Sequence, residues 1–537
     1  MRAHKRREQT VLGGVAVLAL AGILVKITGL VYKIPLTYLL GDEGMGYFNA
    51  AYTVYTWLYM LSTAGFPVAV SILIGEARGR ADMTYQRGVL KTTAAFMLAI
   101  GTVGTLLMLL FADPLSQAVG NGAAAPAIRA VAPTLFFICI ASLFRGYFQG
   151  YQNMVPTALS QVIESVGKVA FGLLFARWSL RAGNGLSLVA SHAILGVSLG
   201  TFFGAVYLAV RYAIGNGRGE FVVEGAFPHP QKTPSVTRRL VGIALPVTLS
   251  ASVMSLTTLI DLGMIISRLQ DVGYTAGEAT ALYGNYTTLV VPLFHLPSTL
   301  ITPLATGMIP ALSKARAMQR GEDTRLLLNN AFRVASGIGV PCAFGMAFLA
   351  KPILALLYPA PSVESAYQLL STISSAVFFL CVLTVTNATL QALGLEKYTL
   401  VSMGIGAVAK TVSGYLLLGN PNFGMLGAPI GTVVCYALAV LISISVLAVK
   451  TGYTVPFGIL VGKPLVSSLL GIGISTLLYH EFFWQLGRFG GILLTVFLAV
   501  VLYAFMAYAT GLFTREDLWY LTEKVRKPKK RRAHGGA

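Results

Sequence analysis

Long apolar stretches, each bounded by short polar segments, recur along almost the whole chain. Fourteen of them are long enough to cross a bilayer as a helix, which needs about 20 mostly apolar residues. Their predicted limits are 11–40, 46–74, 89–112, 127–149, 155–178, 186–212, 239–267, 281–312, 329–351, 365–393, 398–418, 424–449, 457–480 and 488–511. The pattern predicts an all-α polytopic membrane protein, because a transmembrane β-barrel would show short segments of alternating polarity.

Charge is scarce and unevenly placed. Only 11% of the 537 residues are charged, against about 25% in an average soluble domain. The net charge of +20 would suit a nucleic-acid-binding protein, but the basic residues gather at helix ends on one predicted side. That asymmetry follows the positive-inside rule and predicts both termini in the cytoplasm, with no nucleic-acid partner.

A weak internal repeat runs through the chain. Gln149 and Lys168 recur as Gln391 and Lys410, and other matches follow in the same order. The repeat predicts two parallel six-helix halves, with chance matching of apolar segments as the alternative. The predicted divisions are an N-terminal half at 1–213, a cytoplasmic linker at 214–238, a second half at 239–450, a helix pair at 451–512 and a basic cytoplasmic tail at 513–537. We expect the tail to attract anionic lipids of the bilayer.

Two lysines lie inside the first predicted helix. A charge at the bilayer centre costs about 3 kcal/mol, so such residues usually face water or a partner. Lys26 and Lys33 are seven residues apart, which places them on one helix face about 10 Å apart. Two cations on one wall predict a binding site for an anionic substrate. The alternative for Lys33 is that its side chain extends to the outer interface.

Charged residues in the seventh predicted helix are candidates for the same site. Asp261 and Arg268 are also seven residues apart, and the repeat makes this helix the counterpart of the first. We therefore predict that they face Lys26 and Lys33 across a cleft and help to bind the substrate. For Arg268, extension to the interface is again the alternative.

The fifth predicted helix contains a second carboxylate deep in the membrane. Glu164 and Lys168 are four residues apart, in the order that stabilises a helix. They predict either a self-neutralised structural pair or a relay for protons or ions.

The remaining candidate residues could bend the helices or line a water-filled cavity. Gly29, Pro35 and Pro67 give the first two helices hinge potential, and the acids of the turn Gly41–Gly44 are expected to face solvent. The eighth predicted helix is rich in proline and hydroxyl side chains, which is typical of a helix beside water or ligand. There we predict that Asn285 and His295 line a cavity; a hydrogen-bonded packing role is the alternative for His295.

No enzyme motif is found. The sequence contains no Walker loop, no Gly-x-Ser-x-Gly and no cluster with metal-ligand spacing. We predict no enzymatic activity and no cofactor, and we interpret the four cysteines as small buried hydrophobes. Without an ATP-binding motif, transport would be driven by an ion gradient, the membrane potential or consumption of the product. The identity of any coupling ion stays open.

Three segments resemble a known family. They are Lys26–Leu36 with Leu40–Gly46, then Ser62–Pro67, then Arg145–Gly150 continuing to Glu164. Together they resemble the stage V sporulation protein B/polysaccharide biosynthesis family. This family belongs to the multidrug/oligosaccharidyl-lipid/polysaccharide exporter (MOP) superfamily, in the branch that includes the MurJ lipid II flippases.

The resemblance implies fourteen helices in two lobes that form a V, with helices 1, 2, 7 and 8 around a central cavity. It implies that cations at Lys26, and at or beside Lys33, bind the diphosphate of an undecaprenyl-linked saccharide. The implied function is alternating-access flipping of the peptidoglycan precursor lipid II across the bacterial cytoplasmic membrane, near the cell-wall synthesis machinery.

One departure from the family keeps alternatives open. The second predicted helix, 46–74, contains no basic residue. A flippase for another polyprenyl-linked oligosaccharide therefore remains an alternative. A cation-coupled multidrug exporter is a second alternative, although lysines in the cavity would disfavour its cationic substrates.

Overall fold

The computed structural model describes residues 11–63, 65–79, 82–218, 235–317 and 321–512. Within these ranges the protein is helical and has no β-strand. The helices are α1 (Val11–Thr63), α2 (Phe66–Gly79), α3 (Met83–Leu110), α4 (Ala112–Ala118), α5 (Ala125–Val131), α6 (Pro133–Gly150), α7 (Val155–Arg181), α8 (Leu186–Gly217), α9 (Val236–Asp271), α10 (Ala276–Asn285), α11 (Val291–Ala317), α12 (Gly321–Phe348), α13 (Ala350–Leu357), α14 (Ala360–Ala392), α15 (Glu396–Leu418), α16 (Gly427–Thr451), α17 (Lys463–Glu481) and α18 (Gly487–Ala509). The predicted basic tail, and most of the predicted linker, lie outside the described residues.

Eleven helical segments of the described chain are long and apolar enough to cross a membrane. The first two predicted helices count among them as one segment, Leu20–Arg78. The predicted seventh and eighth helices are present as α9 and α10–α11. The chain is a multi-pass helical membrane protein, as its hydropathy predicted.

A single glycine separates the first two predicted helices. Gly41 has φ 64° and ψ −173° inside α1, a conformation that glycine adopts without the steric penalty of a Cβ. The predicted turn at 41–44 is therefore one non-helical residue, after which the helix resumes. Pro35 lies inside α1, N-terminal to this break.

The second predicted helix is interrupted between α1 and α2. The amide of Gly65 donates to Oγ1 of Thr248 on α9 at 3.1 Å, and a Cβ on Gly65 would lie 2.0 Å from the Ala244 carbonyl oxygen. Only glycine allows α9 to approach this closely. Pro67 occupies the first turn of α2, where its missing amide hydrogen is tolerated.

Glycines also bring α7 and α8 together. A Cβ on Gly196 would lie 2.3 Å from the amide nitrogen of Gly172, and one on Gly200 would lie 2.4 Å from the Glu164 carbonyl oxygen. Small residues at such a crossing let two backbones pack closely within a membrane. The contact fixes the position of α7, which carries Glu164 and Lys168.

The helices form two compact units. The first comprises Met1–Pro292, Tyr358–Ala366 and Thr411–Ala428, and the second Leu293–Leu357, Tyr367–Lys410 and Pro429–Ala537. In the first, α2, α6 and α9 share a buried apolar cluster that includes Leu73, Phe148 and Leu240. In the second, the hydroxyl of Tyr503 donates to the Gly337 carbonyl at 2.7 Å. The predicted division of the chain into halves and the parallel repeat stay predictions.

Candidate functional site

The ammonium of Lys33 reaches from α1 to a distorted turn that follows α10. Its Nζ donates to the Thr287 carbonyl oxygen at 2.8 Å. Thr287 lies in a π-helical segment, Tyr286–Val290, in which the amide of Val291 donates to the Tyr286 carbonyl. The next residue, Pro292, has no amide hydrogen. The regular π-helical amide donor for the Thr287 carbonyl is therefore missing, and the ammonium of Lys33 donates to this carbonyl instead.

Further polar contacts surround the π-helical segment and the end of α10. Asn49 Nδ2 donates to Oγ1 of Thr288 at 2.6 Å, and the hydroxyls of Thr53 and Tyr283 are 3.0 Å apart. The Tyr358 hydroxyl is 3.5 Å from the Thr288 carbonyl. Such π turns are frequent at functional sites because they release backbone groups from the helix.

The charge of Lys33 has no acidic counter-ion. Among the described residues no carboxylate oxygen lies within 4.0 Å of its ammonium. A second membrane-embedded lysine of this unit is Lys168, on α7. Lys168 itself lies over aromatic rings of α1, with Nζ 5.8 Å from the Tyr32 centroid and 5.9 Å from that of Tyr52.

Lys26 occupies the same helix as Lys33, two turns earlier. Its side chain is exposed, and a Cβ on the neighbouring Gly29 would meet nothing within 4 Å. The predicted hinge residues Gly29 and Pro35 thus lie in an α1 segment that remains helical as far as Gly41. Hinge motion at these positions stays a prediction.

The ion pair of Glu164 differs from the predicted one. Its Oε2 is 2.8 Å from Nη2 of Arg145 on α6, and Oε1 is 3.4 Å from the hydroxyl of Thr201 on α8. Nε of Arg145 also donates to Oγ of Ser160 at 3.1 Å. The expected pair with Lys168 is therefore replaced by one between helices, because the close α7–α8 packing turns Glu164 toward α6 and leaves Lys168 against α1.

An aromatic stripe that the sequence analysis missed follows α1 after its break. Successive ring centroids of Phe48, Tyr52, Tyr55 and Tyr59 are 6.2, 5.8 and 5.9 Å apart. Tyr55 and Tyr59 are within electrostatic range of Glu164 and its arginine. The spacing i, i+4, i+7, i+11 would have revealed this face, although such a stripe is also typical of plain packing.

Asp42 does not face solvent freely, contrary to expectation. Its Oδ2 accepts from Nδ2 of Asn285 at 2.9 Å, and its Oδ1 accepts from the Ser362 hydroxyl. Asn285 is fully buried and also donates to Oγ of Ser365 at 2.6 Å. The prediction that Asn285 lines a cavity stays untested, but its amide clearly joins α1, α10 and α14.

The structure places Arg268 away from Lys33. Its guanidinium lies 4.1 Å from the Tyr415 ring of α15 and 2.7 Å from Oδ2 of Asp271. The face of α9 that carries Arg268 thus packs on α15, which the seven-residue spacing alone did not reveal. Asp261 is half-buried on α9, with a buried Oδ1. The predicted meeting of Arg268 with the lysines of α1 is not seen.

His295 lies on α11 in the second unit. Its ring is exposed and packs at 4.7 Å from that of Phe294, and its carbonyl accepts from the hydroxyls of Ser298 and Thr299. These contacts fit a packing role as well as a position beside water. Among the described residues no three His, Cys, Asp or Glu side chains are grouped so that they could hold a metal ion.

Comparison with known proteins gives consistent matches. The family described as "Polysaccharide biosynthesis protein" matches residues 11–316. The stage V sporulation protein B of Bacillus subtilis (strain 168) is 26% identical over 440 residues, which cover 81% of this chain and 83% of that protein. The lipid II flippase MurJ of the same organism is 26% identical over 502 residues and 89% of each chain.

A solved structure gives the fold. A lipid II flippase MurJ in an inward closed conformation superposes with a TM-score of 0.65 at 14% sequence identity, over 95% of this chain and all of that one. At this identity the match establishes the fold alone. The predicted all-α fold of the MOP type is confirmed.

Proposed function

Because the chain belongs to the polysaccharide biosynthesis protein family, we propose that it is a flippase for an undecaprenyl-diphosphate-linked saccharide. It moves the saccharide headgroup across the cytoplasmic membrane while the lipid tail stays in the bilayer. Within this class we propose lipid II as the substrate, which is what the similar MurJ protein of Bacillus subtilis is named for. The proposal includes a cytoplasmic location for both termini and no enzymatic step.

One observation carries this proposal. The ammonium of Lys33 lies in a membrane-spanning helix, and its hydrogen-bond partner is a neutral carbonyl, that of Thr287. An unbalanced positive charge in a membrane is expensive, and a transported anion would compensate it. A diphosphate is the strongest anion of a polyprenyl-linked saccharide, so the site suits that part of the molecule. The exposed Lys26, two turns away, would draw the diphosphate toward Lys33.

Alternating access requires helices that bend. In the first unit, helices are interrupted or distorted at three positions where bending can occur. These are the break at Gly41, the interruption around Gly65 and the π-helical segment Tyr286–Val290. Kinks and π turns are where helices bend at low cost. We propose that bending at these points opens the site to each side in turn, driven by an ion gradient, the membrane potential or consumption of the product.

A second candidate substrate is another polyprenyl-diphosphate saccharide. The absence of basic residues from 46–74, a departure from the family pattern, leaves this candidate open. The two candidates share the diphosphate and differ in the sugar, so the same experiment separates them.

The test is depletion of the protein in its own organism, in a strain without other lipid II flippases. Accessibility of lipid II at the outer leaflet is measured with a membrane-impermeant reagent. We expect accessibility to fall while total lipid II rises. Unchanged accessibility of lipid II, with loss of another surface polysaccharide, would instead identify the second candidate. Unchanged accessibility of all such carriers would refute the proposed function.

A further inference from the structure

A buried amide close to the Gly41 break of α1 has an oxygen without a hydrogen-bond donor. Asn285 ends α10 and is only 1% exposed. Its Nδ2 donates to Oδ2 of Asp42 at 2.9 Å and to Oγ of Ser365 at 2.6 Å, whereas its buried Oδ1 accepts no hydrogen bond from the described residues. A buried acceptor without a donor costs free energy, so it calls for an explanation.

The carboxylate of Asp42 has no counter-ion in the described part of the chain. Its oxygens accept from neutral groups, the amide of Asn285 and the hydroxyl of Ser362, and no basic side chain of the described ranges lies within 4.0 Å of it. Asp42 is the first residue after the non-helical Gly41, so it begins the helix that resumes there. The amide dipoles at a helix start favour the ionised carboxylate. A half-buried negative charge is therefore held by neutral donors alone.

The backbones of α1 and α10 hold the carboxylate and the amide together. A Cβ on Gly46 would lie 2.3 Å from the Thr280 carbonyl oxygen, and a Cβ on Gly284 would lie 2.5 Å from the Asp42 carbonyl oxygen. Only glycine allows the two helices to approach this closely, and Asn285 directly follows the second of these contacts. The distance between the two side chains is thus fixed by helix packing.

Two hydroxyls from the start of α14 complete the group. Ser362 and Ser365 belong to the same compact unit as α1 and α10. Rotation of the Asn285 amide by half a turn exchanges Nδ2 and Oδ1, so that Oδ1 faces the Asp42 carboxylate and the Ser365 hydroxyl. The hydroxyls can turn their hydrogens away and present lone pairs. Carboxylate, amide and hydroxyl oxygens together are the ligands that hard cations prefer.

We propose that Asp42, Asn285, Ser362 and Ser365 form a Na⁺ site that joins α1, α10 and α14. A single carboxylate balances one positive charge, whereas Ca²⁺ sites usually contain several carboxylates. The polar atoms are only 2.6–2.9 Å apart, which suits a small ion better than K⁺. Because neutral oxygens complete the site, it needs no group of three acidic, histidine or cysteine side chains. The site does not include Lys33 and does not depend on which saccharide is transported.

Thermal melting of the purified full-length protein in detergent tests this site. Wild type and variants are melted in NaCl, KCl or choline chloride at one ionic strength, and in choline chloride with added CaCl₂. Asp42→Asn removes the charge of the site. Glu43→Gln is the matched control, because it removes the charge of the next residue, whose carboxylate accepts from the Tyr47 hydroxyl outside the proposed site.

We expect Na⁺ to raise the melting temperature of wild type in a saturable manner, with a smaller effect of K⁺ and none of choline. Asp42→Asn should weaken the apparent Na⁺ affinity about tenfold or more, since the charge that attracts the ion is lost. Glu43→Gln should respond to Na⁺ as wild type does. Equal melting of wild type in all three salts would overturn the site, as would stabilisation by Ca²⁺ alone. An unchanged Na⁺ response of folded Asp42→Asn would also overturn it.

Hydrogen exchange of wild type locates the ion if Asp42→Asn does not fold. Exchange is followed by mass spectrometry in NaCl and in choline chloride. We expect Na⁺ to slow exchange in the peptides that contain Asp42, Asn285 and Ser362, and to leave the peptides of α17 unchanged. Equal exchange of those three peptides in both salts would overturn the assignment. Neither measurement involves the saccharide, so a negative result would leave the proposed flippase function standing.

Discussion

Glu164 on α7 and Arg145 on α6 form an ion pair across a helix interface, with 2.8 Å between Oε2 and Nη2. The arginine side chain is only 9% exposed and the glutamate 27%, so water screens the pair weakly. Hydroxyls of Ser160 and Thr201 satisfy further polar atoms of both side chains. The arrangement is that of a structural pair joining α6, α7 and α8.

The first prediction concerns the stability that this pair confers. Glu164→Ala leaves the buried Arg145 without its counter-ion and should cost about 3 kcal/mol in the free energy of unfolding. The double variant Arg145→Met with Glu164→Leu should recover most of that loss, because it removes both charges. Denaturant unfolding in mixed micelles measures the effect. A folded Glu164→Gln protein of wild-type stability that no longer flips its substrate would point to a proton or ion relay instead.

The partner of Glu164 in this ion pair could not be predicted from the sequence. The four-residue spacing predicted a pair between Glu164 and Lys168, and hydropathy located the helix that carries both residues. The direction of each side chain was set by packing that the sequence encodes only indirectly, through Gly196 and Gly200. Those glycines fix the rotation of α7, and the rotation assigns Glu164 to α6 and Lys168 to α1.

A second prediction concerns the contact between Gly65 and α9. Gly65→Ala would place a Cβ 2.0 Å from the Ala244 carbonyl oxygen, so α2 and α9 must separate. We expect a loss of about 1–3 kcal/mol in the free energy of unfolding and impaired transport. Gly75→Ala is the matched control, since it lies on α2 and its Cβ would meet nothing within 4 Å. Thermal melting of both purified variants measures the difference, and equal melting temperatures would contradict the close approach.

A third prediction concerns the π-helical segment. Pro292→Ala restores an amide hydrogen that competes with Lys33 for the carbonyls of the distorted turn. Flipping should slow, while stability should stay equal or rise because a proline is removed from a helix. Pro297→Ala, farther along α11, controls for general stiffening. A fluorescent lipid II assay in proteoliposomes reports the rate, and an unchanged rate for Pro292→Ala would argue against a role for this turn.

The binding role of Lys26 and Lys33 stays a prediction, whereas the predicted approach of Arg268 to these lysines is not seen. The cost of a buried charge drew attention to Lys33 from sequence alone, and its partner Thr287 belongs to the eighth predicted helix, which is rich in proline and hydroxyl side chains. Arg268 was assigned to the site by seven-residue spacing and a repeat, neither of which fixes helix rotation. Its real contacts, Tyr415 and Asp271, depend on tertiary packing.

A fourth prediction concerns a bidentate ion pair between α2 and α9. Nη1 and Nη2 of Arg239 are 2.6 and 2.8 Å from the two carboxylate oxygens of Glu76, and Nη1 also approaches the Tyr85 hydroxyl at 3.3 Å. Reversing either charge should destabilise the protein, and Glu76→Arg combined with Arg239→Glu should restore part of the loss. A double-mutant cycle on unfolding should give a coupling of about 1 kcal/mol. Zero coupling would mean that the pair contributes nothing to the packing of α2 on α9.

The central claim is that the charge of Lys33 binds the transported anion. Its most direct test is the flipping rate of fluorescent lipid II in proteoliposomes containing wild type or Lys33→Gln, which keeps a hydrogen-bond donor but removes the charge. At equal amounts of folded, inserted protein, we predict a loss of tenfold or more, because a charged hydrogen bond is worth about 1.5–3 kcal/mol. Flipping by Lys33→Gln at the wild-type rate would contradict the account.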